Sequence, residues 1–440
     1  GRRGRPATST VDQILDAPRA VLREHEAALA AIGPIFVNRD LNGRVRLIVQ
    51  AACKQAPLAR EALDSIGRGL EARLGAHACP AQRAVLFETD LDAATDGAPI
   101  FDLAGFDQVR VIDRLATDSD WSRIAPESSG APRVVFFSIK GGVGRSTALA
   151  ATAWSLAQAG QHVLVLDLDL ESPGLSSSLL PPERQPSFGI CDWLVEDLVD
   201  NGQVVLDDMT ATSTLARDGE IWVVPAHGRV PGEYVSKLGR AWMPKVHRDG
   251  KREPWSARLA RLITELETRC KPDIILIDSR AGIDEVASSC VTGLGAQLVL
   301  LFALTGDQTW TGYRMLFEHW LKSGVAPAIR ERLQVVAATL PELGTAECVE
   351  ELRELSFDLF TDTLYDEIPP GEIIVNHWNF DLAEEGAPHT PWLIRWHRGF
   401  AALRSLHDRL QTVNAQEIQA VFGHFLDNLI SVAGPESRAS

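Results

Sequence analysis

The chain has 440 residues, 45% of them apolar and 23% charged, and a formal net charge of −16. That length exceeds one ordinary core and implies two or three domains at roughly 150 residues each, with the composition of a globular protein and not of a disordered or fibrous one. No uninterrupted apolar run approaches the roughly 18 residues of a membrane span, and the negative charge weighs against a general nucleic-acid coat, which needs Lys and Arg to displace counterions.

The opening GRRGRPATST carries arginines with no apolar segment behind them, so residues 1–9 read as a flexible arm or a cloning remnant and not as a signal peptide. The cysteines Cys53, Cys79, Cys191, Cys270, Cys290 and Cys348 show no CxxC pair and no His at metal spacing. This predicts free thiols, no zinc or iron–sulfur centre, and a reducing cytoplasm. Residues 10–125 read as a separate unit. Helical periodicity runs over 11–32, and PIFVNRDLNGRVRLIVQAA then sets Asn42-Gly43 between alternating apolar segments, the pattern of a hairpin. An amphipathic helix is expected over 58–74 and further strands in AVLFETDL and QVRVIDRL, which makes a small α+β module. Nothing in it has catalytic spacing, so a regulatory role or recruitment of a protein partner is expected. PESSGAP, residues 126–132, is the best linker on composition.

From 133 to 433 buried strands alternate with helices, the pattern of a mostly parallel sheet covered on both faces. Strands are expected at 134–139, 162–169, 221–226, 273–279, 296–304 and 333–339, with a short one before Ile368; residues 434–440 form a tail. Two basic stretches, KVHRDGKR (245–252) and WLIRWHRGFAALR (392–404), read as a solvated loop and an amphipathic helix face, with local nucleic-acid contact as the alternative. Residues 415–433 place Ile418, Val421, Phe422, Phe425, Leu426 and Leu429 on one side of a helix, while the polar side has Glu417 and Asp427 and no Lys or Arg. Surface-binding helices prefer basic faces, so packing on the domain or a partner is expected, with no stable membrane insertion.

FFSIKGGVGRSTALAA, residues 136–151, carries the chemistry. A strand, then Gly141-Gly142-Val143-Gly144-Arg145-Ser146-Thr147, then an alanine-rich helix is the setting of a phosphate loop. Its glycines let backbone N–H groups converge on phosphate oxygens, and the helix N-terminus adds partial positive charge. Ser146 has a hydroxyl suited to Mg²⁺, and Thr147 reaches a phosphate from the first helical turn.

KGGVGRST resembles the deviant Walker A motif, KGGxGK[ST], of the ParA/MinD family of P-loop ATPases, with Lys140 at the family's signature lysine. Asp167-Leu168-Asp169 followed by ESPGL is similar to switch I of that family. DIILIDSRAGID resembles its Walker B and switch II segment, with Asp278 as the acid, Arg280 in place of the usual proline, and Gly282 following. The likeness continues through WVVPA, TGDQTWTGYRML and DEIPPGE, over residues 133–425. It implies an α/β P-loop NTPase fold, ATP and Mg²⁺ as cofactors, and a homodimer formed on ATP. It further implies that Lys140 reaches the phosphates of a partner subunit, that Asp169 orients the attacking water, and that Ser146 binds Mg²⁺ with Asp167 and Asp278 in its outer shell.

Arg145 departs from the motif, since it is long, planar and forked where the usual lysine is a compact point charge. Three arrangements are open to it: bridging the phosphates and supporting turnover, binding tightly with slow hydrolysis, or leaving the pocket. Arg280 is open between an arginine finger and an ion pair with Asp284 or Glu285. After VVAAT comes LPELG and not the asparagine that often reads adenine in this family, so the choice of base is open. The cysteine-dependent and tyrosine-kinase branches do not fit, because no cysteine pairing matches and Tyr234, Tyr313 and Tyr365 lie outside the tail. Two functions result. One is an ATP-driven dimerisation switch with slow hydrolysis through Lys140, Arg145 and Asp169; the other is a nucleotide-binding scaffold or sensor with negligible turnover, whose N-terminal module recruits a partner, for instance in a bacterial conflict system.

Overall fold

The computed structural model describes residues 10–117, 120–401 and 405–434; the expected arm, the tail beyond Gly434 and the end of the second basic stretch lie outside them. Two compact units divide between Asp120 and Trp121. In the first, strands β1 (Ile35–Arg39), β2 (Val45–Gln50), β3 (Val85–Glu88), β4 (Ile100–Asp102) and β5 (Val109–Asp113) form one sheet in the order β3-β2-β1-β5-β4. Val37, Val45, Leu47, Val49 and Val111 alternate onto one face and are buried there by helices α1 (Asp16–Glu24), α2 (Glu26–Ile32) and α3 (Pro57–Leu74). The hairpin expected at Asn42-Gly43 is present: β1 and β2 pair antiparallel, Gly43 takes φ +76°, and the Asp40 carboxylate accepts from the Asn42 and Arg44 N–H groups at 2.9 Å. On the opposite face the short helix α4 (Leu91–Thr95) packs on a small cluster of Phe36, Ile48 and Ile112.

The second unit is built on strands β6 (Arg133–Ser138), β7 (His162–Asp167), β8 (Ala211–Thr212), β9 (Glu220–Val224), β12 (Ile274–Asp278), β13 (Leu298–Ala303), β14 (Leu333–Leu340) and β15 (Trp392–Arg395), with a separate hairpin of β10 (Lys245–Val246) and β11 (Arg252–Glu253). The large sheet runs β15-β14-β13-β6-β12-β7-β9-β8, and only the β8–β9 pair is antiparallel. Its main helices are α5 (Arg145–Gln158), α6 (Ile190–Glu196), α7 (Tyr234–Ala241), α8 (Trp255–Cys270), α9 (Asp307–Lys322), α10 (Thr345–Thr363) and α11 (Ala415–Ala433). Within β6, Val134 and Phe136 face a core with α5 and α11, while Val135 and Phe137 face one with α8, α9 and α10. Burial on both faces explains why these strands read as continuous apolar runs.

Three local expectations change. No strand forms before Ile368, and the residues read as a helix face at the second basic stretch begin with strand β15, which pairs parallel to β14. The first basic stretch is the β10–β11 hairpin, and its Lys245 is buried against Asp197 (3.1 Å) and Asp200 (2.7 Å). The segment chosen as a linker is pinned to the large unit: Ser128 N–H donates to Gly295 O (2.9 Å), Gln297 Nε2 to Ser128 O (2.6 Å), and Ala131 N–H to Glu267. Helix α11 is closed by a capping box between Asn414 and Glu417 and buries its apolar side in the core. No helix among the described residues is long and apolar enough to cross a membrane.

Candidate functional site

Three strand ends meet at the carboxyl edge of the sheet, where open α/β sheets bind ligands. From β6 the chain turns through residues 139–144 into α5, with Gly142 at φ +72° and Gly144 at φ +81°. Both are left-handed, where a side chain would be strained. A Cβ on Gly144 would also stand 3.3 Å from Thr339 Oγ1. Val143 is buried and anchors the loop, whereas Gly141, Gly142 and Lys140 are exposed. Ser146 and Thr147 lie in the first turn of α5. The Lys140 ammonium has no partner among the described residues.

The acids arrive by register. Asp167 and Asp278 end β7 and β12 as directly paired residues, and both are buried. Asp169 follows two residues on. Arg145 does not extend into the loop. Its guanidinium turns toward the acids, with Nε to Asp278 Oδ1 at 2.7 Å, Nη2 to Asp169 Oδ2 at 3.3 Å and Nη1 to Ser138 Oγ at 2.7 Å, and the side chain is 7% exposed. Ser146 Oγ donates to the other Asp278 oxygen at 2.6 Å. Burial opposes the charge on Arg145, but Asp278 and Asp169 more than offset it and raise its pKa. Asp169 also accepts from Ser172 N–H at 3.3 Å; burial lifts its carboxyl above the usual range, against the pull of Arg145.

Asp167 is fully enclosed and accepts from the N–H groups of Asp169 (3.3 Å), Gly174 (3.2 Å) and Leu175 (3.2 Å). Burial, then the nearby Asp278, outweigh these donors and push its carboxyl up to about 8. The folded chain therefore keeps a proton that the unfolded chain releases above about pH 4, so this group makes stability fall as pH rises from there to about 8. Asp167→Asn has no such proton to lose. Urea midpoints should shift in its favour, relative to the native chain, between pH 5 and pH 8; a pH-independent difference would contradict the assignment.

Switch-like contacts surround the acids. Arg280 bonds Asp284 through Nη1 and Glu171 through Nη2, both at 2.6 Å, so it joins the segment after β12 to the segment after β7. Gly282, at φ +92°, donates its N–H to Ser138 O at 2.9 Å. Tyr234 Oη on α7 donates to Leu170 O at 2.7 Å, next to Asp169. A cavity of about 340 Å³ opens beside the loop, lined by Lys140, Thr305, Gln308, Thr339, Cys348 and Leu352 among others. Thr339 holds φ +51° at the end of β14, an unusual conformation for a β-branched residue, and its hydroxyl lies 3.4 Å from Val143 O. The sequence did not single out Ser138, Glu171, Tyr234 or Thr339. Ser138 and Thr339 lie at strand ends, Glu171 shortly after one and Tyr234 on α7, and only their contacts with Arg145, Val143, Arg280 and Leu170 mark them.

A family model described as the CobQ/CobB/MinD/ParA nucleotide-binding domain matches residues 134–429. The chain belongs to that family. It carries a ParA/MinD-type nucleotide-binding domain with a P-loop NTPase fold, as KGGVGRST and its companion motifs implied. Comparison with curated proteins returned no match. Similar solved structures include the septum site-determining protein MinD of Pyrococcus horikoshii OT3 complexed with Mg-ADP, with 18% identity over 69% of this chain and 98% of that one and a TM-score of 0.40. The MinC:MinD cell division complex of Aquifex aeolicus gives 17% identity over 68% and 96% at TM-score 0.43. The pNOB8 ParA bound to nonspecific DNA gives 14% over 70% and 100%, also at 0.43. Membership rests on the sequence match and not on these distant likenesses. All six cysteines of this ParA/MinD-type chain are free thiols.

Proposed function

We propose that the chain is a Mg²⁺-dependent ATP-binding protein of ParA/MinD type, a nucleotide-controlled dimerisation switch that hydrolyses ATP slowly. The observation that carries this is the meeting of Ser146, Asp278, Asp167 and Asp169 beside a loop with two left-handed glycines. Backbone N–H groups of residues 141–147 would cradle the phosphates at the start of α5. The donors at hand are hydroxyl and carboxylate oxygens, which suit Mg²⁺. Among the described residues no three His, Cys, Asp or Glu side chains form a complete metal site. Ser146 would therefore hold the ion together with nucleotide oxygens and waters, the usual habit of Mg²⁺, with Asp278 and Asp167 in its outer shell. Bound there, the ion supplies charge neutralisation on the phosphates. Asp169, partly open to solvent, would orient the attacking water; exposed Lys140 would reach the phosphates of a second subunit. Arg280 and Gly282 would act as switch II, and the cavity beside Thr339 would take the base.

The second reading, a nucleotide-binding scaffold with negligible turnover, is favoured by the engagement of Arg145 with Asp278 and Asp169 in place of the loop. In both readings the N-terminal unit, with its own core and sheet, recruits a partner. Steady phosphate release from Mg-ATP supports the switch; tight ATP binding with no release supports the scaffold. Light scattering should show the mass double on adding Mg-ATP to a monomer. An unchanged monomer at saturating Mg-ATP removes the dimerisation step.

A further inference from the structure

We infer that Arg280 is a positioning residue for ATP hydrolysis: with Glu171 and Asp284 it forms a charged bridge that holds the turn carrying Asp169. The inference rests on the proposed role of Asp169 toward the attacking water. The segment after β12 is a fixed base for the bridge. Ser279 N–H donates to Phe136 O at 3.1 Å and Gly282 N–H to Ser138 O at 2.9 Å, which ties that segment to the end of β6. Asp284 is fixed as well, since its Oδ1 accepts from Ala287 N–H at 2.9 Å as the cap of the helical turn Glu285–Ser288. Its other oxygen takes Arg280 Nη1 at 2.6 Å, and Nη2 then reaches Glu171 at 2.6 Å.

The turn after β7 has less to hold it. Leu168 N–H donates to Asp278 O at 3.0 Å and Tyr234 Oη to Leu170 O at 2.7 Å, but Glu171 and Ser172 beyond them are exposed. Among the described residues no other side chain bonds Glu171. Ser172 N–H donates both to Asp169 O at 3.2 Å and to Asp169 Oδ1 at 3.3 Å, so a shift of this turn carries the Asp169 carboxylate with it. A planar fork with two charged ends suits a bridge between two carboxylates. Arg280 is 32% exposed and Glu171 45%, so the bridge contributes little to overall stability. Its effect is local, on where one carboxylate sits, and a misplacement of about 1 Å can cost about 100-fold in rate. An arginine acting directly on the phosphates would not need Glu171, and that difference is what the test reads.

Two readouts in the full-length chain test the bridge. Without nucleotide, amide hydrogen exchange over residues 168–174 should quicken at least about threefold in Arg280→Gln and in Glu171→Gln, with the urea midpoint unchanged. With Mg-ATP, each variant should lose about tenfold in kcat at unchanged KM, and the double variant should lose no more than either alone, because the same bridge is broken in all three. Arg280→Lys keeps a cation in reach of Glu171 and should recover most of the loss. A fall in Arg280→Gln with none in Glu171→Gln, or losses that multiply in the double variant, means that Arg280 acts without the bridge and overturns the inference. Unchanged exchange over the turn in both single variants overturns it too. Each of these results leaves the role of Asp169 standing. Native protein that releases no phosphate from Mg-ATP overturns the proposed hydrolysis and this inference together.

Discussion

Replacing Asp169 with alanine is expected to lower phosphate release from Mg-ATP by about 100-fold or more, the scale for losing a side chain that positions a proton or water in the transition state. Nucleotide binding should survive, because Asp169 lies outside residues 141–147 and the turn of α5 that would hold the phosphates. Binding should even tighten slightly. Asp169 is one of the three acceptors that hold Arg145 away from the loop, at 3.3 Å, and its removal weakens that hold. The two measurements together separate the roles: fluorescent ATP titration reads the cradle, and phosphate release reads the chemistry. Undiminished release from Asp169→Ala would remove Asp169 from the reaction and move attention to Asp167 or Asp278. The loss is expected in kcat, with KM unchanged or slightly lowered, since the group acts on the attacking water and not on the phosphates in the ground state.

The glycine loop was readable because its requirement is local. A strand must turn into a helix within a few residues, and positive φ at Gly142 and Gly144 leaves little choice of residue. The convergence of Asp167 and Asp278 was readable for a related reason: both end apolar runs, and parallel neighbours end at one edge. The direction of Arg145 was not readable. From its Cα, the loop and the acids are alternative destinations for one side chain, and the choice depends on Ser138 and Asp169 being near, which is tertiary information. Arg280 shows the same division within one residue. Its bond to Asp284 is a local i,i+4 pairing and was among the arrangements left open; its bond to Glu171 joins segments over a hundred positions apart and was not. β15 failed for a third reason: WLIRWHRGF alternates apolar and charged residues at spacings that fit a helix as well as a strand, and only pairing with β14 under α11 decides it.

Arg258→Ala should be the most damaging single change to the large unit, at about 3–5 kcal/mol, the usual loss when one member of a buried ion pair is removed. Arg258 lies on α8 and is 0% exposed. Its Nε bonds Asp197 Oδ2 at 2.9 Å, Nη1 bonds Met243 O at 2.7 Å, and Nη2 bonds Leu194 O. One side chain thus ties α8 to the end of α6 and to the chain leaving α7. Alanine leaves the Leu194 and Met243 carbonyls without this donor and opens a cavity where a long side chain was enclosed. Arg261 reaches the same Asp197 at 2.9 Å, but its side chain is 34% exposed, and water can replace what it gives. Arg261→Ala should therefore cost only about 1 kcal/mol or less. Urea unfolding followed by tryptophan fluorescence measures both, since Trp193, Trp242 and Trp255 surround this cluster. Equal losses for the two variants would mean that Asp197, still held by Lys245 and whichever arginine remains, is the true anchor. In that case Asp197→Asn should cost more than either. Because α7 also carries Tyr234, whose hydroxyl holds Leu170 O beside Asp169, Arg258→Ala should weaken phosphate release even where the variant remains folded.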